Sequence, residues 1–234
     1  MQEVAHQMMG YDRASTMFSP DGRLLQVEYA KEAVKQGSIA MGIVCKDGVV
    51  LVADKRIADS LVVADSVQKI FQVDNHIGAT ATGYVMDGRV LIERAQLIAQ
   101  QHQVTYDTPI ETQILVKEVS DIKQSYTQYG GARPFGVSIL FIGVDDNPTL
   151  YVTEPTGIFF EYKATAIGEG AEEIKEFLRK EYNENMVMED AIKLAVKSLK
   201  KVLGKEFDIN RIDGAFIGIK DKTFSMIDRK RLKV

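Results

Sequence analysis

The chain reads as an α+β protein in which runs of antiparallel strands alternate with pairs of helices, and three patterns predict this. Residues 38–53, SIAMGIVCKDGVVLVA, alternate apolar and small residues around Lys46-Asp47-Gly48, a strong hairpin signal. Residues 84–102 and 108–126 form one pair of helical segments, and residues 170–182 and 188–203 form a second. The strand runs between them contain hairpins, which argues against a doubly wound parallel sheet.

The elements follow in order. In residues 11–37, YDRASTMFSPDGRLLQVEYAKEAVKQG, a polar tripeptide leads to a turn at Pro20-Asp21-Gly22. One short helix follows, with Leu24, Val27, Ala30 and Val34 on its apolar face and Gly37 at its stop. After the hairpin, HIGATATG (76–83) is a further strand. In residues 84–102, Val90, Leu91, Ala95, Ile98 and Ala99 recur at helical spacing. The next helix is expected to be capped by Thr108, with Pro109 at its first position and Glu111 completing a capping box. It should run to about Tyr126, with Ile110, Ile114, Val119 and Ile122 facing inward. Strands are expected near 136–144, 149–153, 157–161 and 164–168. After the second helix pair, two more fall near 212–219 and 223–227.

Bulk properties narrow the function. A chain of 234 residues with 5 scattered prolines and no linker-like stretch reads as one domain. A net charge of -4 gives no electrostatic footing for nucleic acid, and the basic end (Arg229, Lys230, Arg231, Lys233) reads as a solvated tail. A lone cysteine, Cys45, cannot form an internal disulfide and suits a reducing compartment. The first residues lack the apolar core of a secretion signal. No window approaches the ~18 apolar residues of a membrane span. A cytoplasmic protein that engages no membrane is expected.

Few motifs suggest small-molecule chemistry. Gly168-Glu169-Gly170 stands between a strand and a helix, but Glu173 replaces the third glycine of a dinucleotide loop, and Glu169, Glu172 and Glu173 would repel a pyrophosphate. His6, His76 and His102 show no metal-ligand spacing with Cys45, and no GxSxG elbow occurs. Neither metal nor cofactor is expected.

The segment YDRxxxxFSPDGRLxQVEYAxEAVxxG resembles the signature that opens α-type subunits of the archaeal 20S proteasome. The similarity continues through GVVLVADKRI, GYVMDGRVLIERAQ, YTQYGGARPFGVSIL and EYKATAIGEGAEE, covering roughly residues 9–200 in the family's order. Beyond about residue 204 the pattern departs from the family. The resemblance implies the N-terminal nucleophile hydrolase fold, a four-layer αββα sandwich with an extra N-terminal helix. Residues 1–37 would supply a gate tail and ring-contact helix, and residues 38–234 the sandwich.

The same resemblance implies a non-catalytic subunit in a homo-heptameric α ring, stacked on β subunits and passing unfolded protein substrates. Tyr11, Asp12, Arg13, Pro20 and Tyr29 map to the gate. A carboxylate beside a guanidinium suits reciprocal bonds between neighbouring copies. Gly22, Leu24, Glu28, Gly37 and Lys69 map to the pocket that receives the C-termini of a proteasome-activating ATPase. There Lys69 would pair with the terminal carboxylate and Gly37 would admit a foreign backbone. Tyr129, Gly130 and Gly131 map to the constriction below the gate. The helix from about Arg23 to Val34 would be needed for ring assembly. The alternative is a processed β-type peptidase with Ser38 as N-terminal nucleophile, Asp54 as supporting acid and Lys69 as the pKa-lowering lysine. That reading requires cleavage at Gly37-Ser38, which discards the strongest motif in the chain.

Overall fold

The computed structural model describes residues 9–57, 59 and 61–232; His6 and Lys233 lie outside them. The chain opens with helix α1 (Leu25–Lys35), then the hairpin β1 (Ala40–Cys45) and β2 (Gly48–Asp54). A second hairpin, β3 (Ile70–Asp74) and β4 (Ile77–Gly83), leads to helices α2 (Val85–Tyr106) and α3 (Thr112–Ser125). Four strands follow: β5 (Val137–Val144), β6 (Pro148–Thr153), β7 (Phe159–Glu161) and β8 (Ala164–Ile167). The chain then forms α4 (Ala171–Glu181), α5 (Met188–Leu203), β9 (Ile212–Gly218), β10 (Phe224–Met226) and a short α6 (Arg229–Leu232).

These strands build two five-stranded antiparallel sheets, in the orders β10-β9-β2-β1-β8 and β3-β4-β5-β6-β7. Period-two alternation sorts their side chains into three apolar layers. Ile39, Met41, Ile43, Val50 and Val52 turn outward onto α4 and α5. Ala40, Val49, Leu51, Leu140, Ile142 and Leu150 meet between the sheets. Ile139 and Phe141 face α2 and α3 through Leu91, Ala95, Leu115 and Val119. Helix, sheet, sheet, helix is therefore the layer order, the expected αββα sandwich. The sheets approach closely at Gly42, where a Cβ would lie 2.5 Å from Leu150 Cδ1.

Several local expectations change. Helix α3 starts at Thr112, not beside Thr108, and Glu111 occupies the N-cap position without a side-chain bond. The cap comes from the β5–β6 turn: Asp145 accepts the Thr112 amide at 3.1–3.2 Å and its hydroxyl at 3.0 Å. A local capping pattern cannot show a cap donated from 33 residues away. Ile110 is buried ahead of the helix, Leu115 and Val116 carry the inner face, and Ile114 is exposed. Helix α2 continues past residue 102 to Tyr106, ending where Asp107 turns left-handed at φ 56°. In α1, Leu24 is the N-cap residue and Leu25 takes its place on the buried face with Val27, Ala30 and Val34. Strand β3 lies where the sequence pattern predicts none. A register shift between Gln72 and Asp74 disrupts the alternation that would reveal it.

Candidate gate and docking site

Three segments come together around α1. The turn before the helix is closed by the Gly22 amide donating to the Ser19 carbonyl at 2.8 Å, and by the Ser19 amide donating to the Arg23 carbonyl at 2.8 Å. The buried Ser19 hydroxyl accepts the Arg23 amide at 3.2 Å, and Phe18 bridges Leu24. Pro20 is exposed at the corner with its φ fixed by the ring, and Gly22 supplies φ +73°, with open space where a Cβ would point. Upstream, the Arg13 amide closes a turn on Gly10. Gln26, on α1, reaches back to donate to the Asp12 carbonyl at 2.6 Å, so helix and tail are tied together. The third segment is the turn after α3: Ser15 Oγ donates to the Tyr129 carbonyl at 3.4 Å. Tyr129 is exposed, and Gly130 and Gly131 have no atom near a would-be Cβ, Gly131 at φ +85°. Tyr11 and Asp12 are half-buried, Arg13 and Tyr29 exposed, and Glu28 pairs with Lys31 one turn on.

The other end of α1 enters a charged cluster. Lys69 Nζ donates to the Ala81 carbonyl at 2.6 Å, with Thr82 Oγ1 at 3.5 Å. Burial pulls its pKa down, Asp54 pulls it up and Arg56 lowers it again, leaving it at about 8. Asp54 is fully buried and held by Arg211 through two bonds, at 3.0 and 2.7 Å, and by the Arg56 amide at 3.0 Å. Arg56, at φ 44°, donates to the Gln36 carbonyl at the end of α1 and pairs with Glu169. The Glu169 amide in turn donates to the Gly37 carbonyl at 2.9 Å. Gly168, at φ +103°, leaves no room for a side chain, since a Cβ would sit 2.8 Å from the Ser38 carbonyl.

Gly37 is glycine for an internal reason. A Cβ there would lie 2.5 Å from the Gly83 amide nitrogen of the same chain, so the chain's own backbone already approaches it closely. Ser38 sits within a continuous chain, its carbonyl accepting Thr82 Oγ1 at 3.0 Å. Its nitrogen is a peptide amide, whose delocalised lone pair cannot act as the general base that an N-terminal nucleophile requires. The geometry brings Asp54 and Lys69 beside Gly37 and Ser38 but withholds the free amine. Sequence reasoning missed Arg56, Glu169, Arg211 and Thr82. The charge run Asp54-Lys55-Arg56 at a strand end was the only available signal for them.

The fold, with Ser38 inside the chain behind a packed N-terminal helix, defines a class: an N-terminal nucleophile hydrolase sandwich that carries an extra N-terminal helix. Family comparison makes it particular. Residues 34–217 match the proteasome subunit family, and residues 11–33 match the N-terminal signature of its A-type subunits. The proteasome alpha subunit of Archaeoglobus fulgidus is 50% identical over 225 residues, spanning 96% of this chain and 92% of the relative. Those of Methanosarcina acetivorans and Thermococcus sibiricus are 51% and 49% identical, covering 92% and 93% of this chain and 88% and 84% of theirs. The chain belongs to the proteasome subunit family and is one of its non-catalytic α-type members. No helix among the described residues is long and apolar enough to cross a membrane.

Proposed function

We propose that the chain forms the homo-heptameric outer ring of a cytoplasmic 20S core, stacked on β subunits, where it gates the passage of unfolded protein. Tyr11, Asp12, Arg13, Pro20 and Tyr29 form the gate, and Tyr129, Gly130 and Gly131 line the constriction beneath it. Lys69, with Gly22, Leu24, Glu28 and Gly37, receives the C-terminus of an activating ATPase. The observation that carries this reading is the double tether on the tail, Gln26 to Asp12 and Ser15 to Tyr129. It sets the gate residues and the constriction loop against each other at one end of α1. The far end of α1 leads into the Lys69 cluster through Gln36 and Arg56. The tail and the Lys69 cluster are thus joined to opposite ends of one helix, with Gly22, Leu24 and Glu28 beside the gate residues at its start, a physical route for coupling the two.

The test is reconstitution. The purified chain should give seven-membered rings of intact subunits by native mass spectrometry. With β subunits added, those rings should yield particles that cleave a short fluorogenic peptide. An activating ATPase should stimulate that cleavage severalfold, and Lys69→Ala should bring the stimulation ratio to about one. Stimulation undiminished in Lys69→Ala would remove the docking assignment, and a chain that stays monomeric would remove the ring.

A further inference from the structure

Helix α5 carries a charge pattern unlike that of α1, α3 and α4. Past Asp190 its exposed positions are all lysine: Lys193, Lys197 and Lys200, with Lys201 alongside. Neighbours at three- and four-residue spacing share one helical face. On the other helices Lys35 faces Glu32, Lys117 faces Asp121 and Lys175 faces Glu172, each about one turn away. In the α5 row Lys193 has a distant carboxylate, Asp190 at 3.8 Å. Among the described residues Lys197, Lys200 and Lys201 have none at ion-pair distance. Like charges one turn apart repel, so the row weakens its own helix. The helix dipole compensates cations only in the last turn, which holds Lys200 and Lys201 but neither Lys193 nor Lys197. Phe177 of α4 fixes part of the row: the Lys197 and Lys201 ammonium groups stand 5.4 and 4.9 Å from its ring centroid. Cations held this way lose less side-chain freedom when an anion arrives.

An apolar cleft of about 420 Å³ adjoins the row, with Met186, Leu194 and Val196 in its lining beside Lys193, Lys197 and Lys200. Cations around an apolar cleft suit a polypeptide that bears carboxylates and an aliphatic side chain. A nucleic acid suits it less. The row holds no arginine fork, and the Phe177 ring, which a base would need for stacking, is already taken by two lysines. Glu181 and Asp190 on the same cleft would also repel a continuous phosphate backbone. Asp190 lies in the first turn of α5, so a partner's carboxylates are directed towards the C-terminal end of the helix.

We infer that the exposed face of α5 docks an acidic segment of a partner protein, with carboxylates along the lysine row and an aliphatic side chain in the cleft. This site shares no residue with the Lys69 cluster and does not require a ring. The probe is a fluorescein-labelled peptide of glutamates around a single leucine. Its C-terminus is amidated, so it offers the Lys69 socket no terminal carboxylate. Titrated against the purified full-length chain at low salt, it should show saturable binding by anisotropy, and the same peptide with glutamines should show none. Lys197→Glu with Lys200→Glu should keep the native melting profile and weaken binding at least about tenfold. Lys117→Glu with Lys220→Glu makes the same change in net charge away from the row and should shift binding less than about twofold. Serine in place of the probe's leucine should weaken binding at least about fivefold. Equal losses in the two double variants would reduce the effect to net charge and overturn the site. A short oligothymidine of the same charge that binds more tightly than the peptide would overturn the acidic segment in favour of a nucleic acid. Absence of saturable binding to the unmodified chain would overturn the inference outright.

Discussion

Lys69 shows what a single buried cation can do. With its pKa at about 8, it passes from charged to neutral within a readily accessible pH range. A peptide's terminal carboxylate stays ionised throughout that range, so only the lysine's state varies. Binding of a carboxylate there should be strongest below pH 8 and weaken towards about tenfold per unit above it. A synthetic peptide ending in a free carboxylate, titrated against the ring from pH 6.5 to 9.5, should show that fall, while its C-terminal amide should not. Equal slopes for both would remove Lys69 from the socket. Asp54 nearby is fully buried and paired with Arg211. Arg211→Ala would leave that carboxylate without its partner and should cost about 3 kcal/mol in chemical denaturation. The sequence made Asp54 and Lys69 visible through family resemblance. Arg211, 157 positions from Asp54, carried no local sign of its role.

At the scale of elements, regular periodicity was legible and tertiary capping was not. The β1–β2 hairpin, α4 and α5 follow their apolar patterns closely, even where a tertiary contact meets an end, as Asp47 does in accepting the Met188 amide at 2.8 Å at the start of α5. Helix α3 is different, since Asp145 and His76 from two other connections decide where it begins. His76 Nε2 lies 3.0 Å from the Ile110 carbonyl and 3.4 Å from Asp145, and its Nδ1 faces Asp74 at 3.7 Å. Burial alone would lower the His76 pKa, but its bonds to Asp145 and Ile110 and the charge on Asp74 hold it raised. Burial would raise Asp145, which the His76 bond and the Thr112 amide and hydroxyl hold lowered. The imidazolium's contribution is therefore full below its unfolded pKa and disappears as pH rises through the folded value. The carboxylate's contribution is full above its unfolded pKa and disappears as pH falls through the folded one. The clamp is strongest between those limits. Asp145→Asn should cost about 1–2 kcal/mol near pH 6, and His76→Gln should flatten the decline in stability as pH rises past the ordinary imidazole value of 6.5; an unchanged decline would exclude the clamp. Helix α1 also changes meaning. Val27 is buried within the chain's own body, so an aspartate there would test folding rather than ring assembly.

For the whole molecule, the αββα stack explains why one fold can serve either as a peptidase or as a non-catalytic subunit. The sandwich core requires only the alternation of strand residues, whereas catalysis requires a free amine at the residue numbered 38 here. Retaining residues up to Gly37 removes that amine and adds α1, which packs on β4 and β5 and carries a tethered tail on its outer end. A layered α+β domain was legible because two helix pairs set between three strand runs can bury their apolar faces in few ways, while the αββα order itself came from the family resemblance. The docking of α1 was not, since its inner face has no partner in the linear pattern. If the tail closes the axial opening, its removal should act on access and not on chemistry. Deleting residues 1–13 leaves α1, the Pro20 turn and the Lys69 cluster in place. In particles assembled with β subunits, the deletion should raise hydrolysis of a peptide of about nine residues severalfold. A three-residue fluorogenic peptide, small enough to pass a partly closed opening, should gain less. An activating ATPase should then add little further stimulation for the longer peptide. Equal gains for both lengths would point to altered β-subunit chemistry, and no gain for either would show that residues 1–13 do not close the channel.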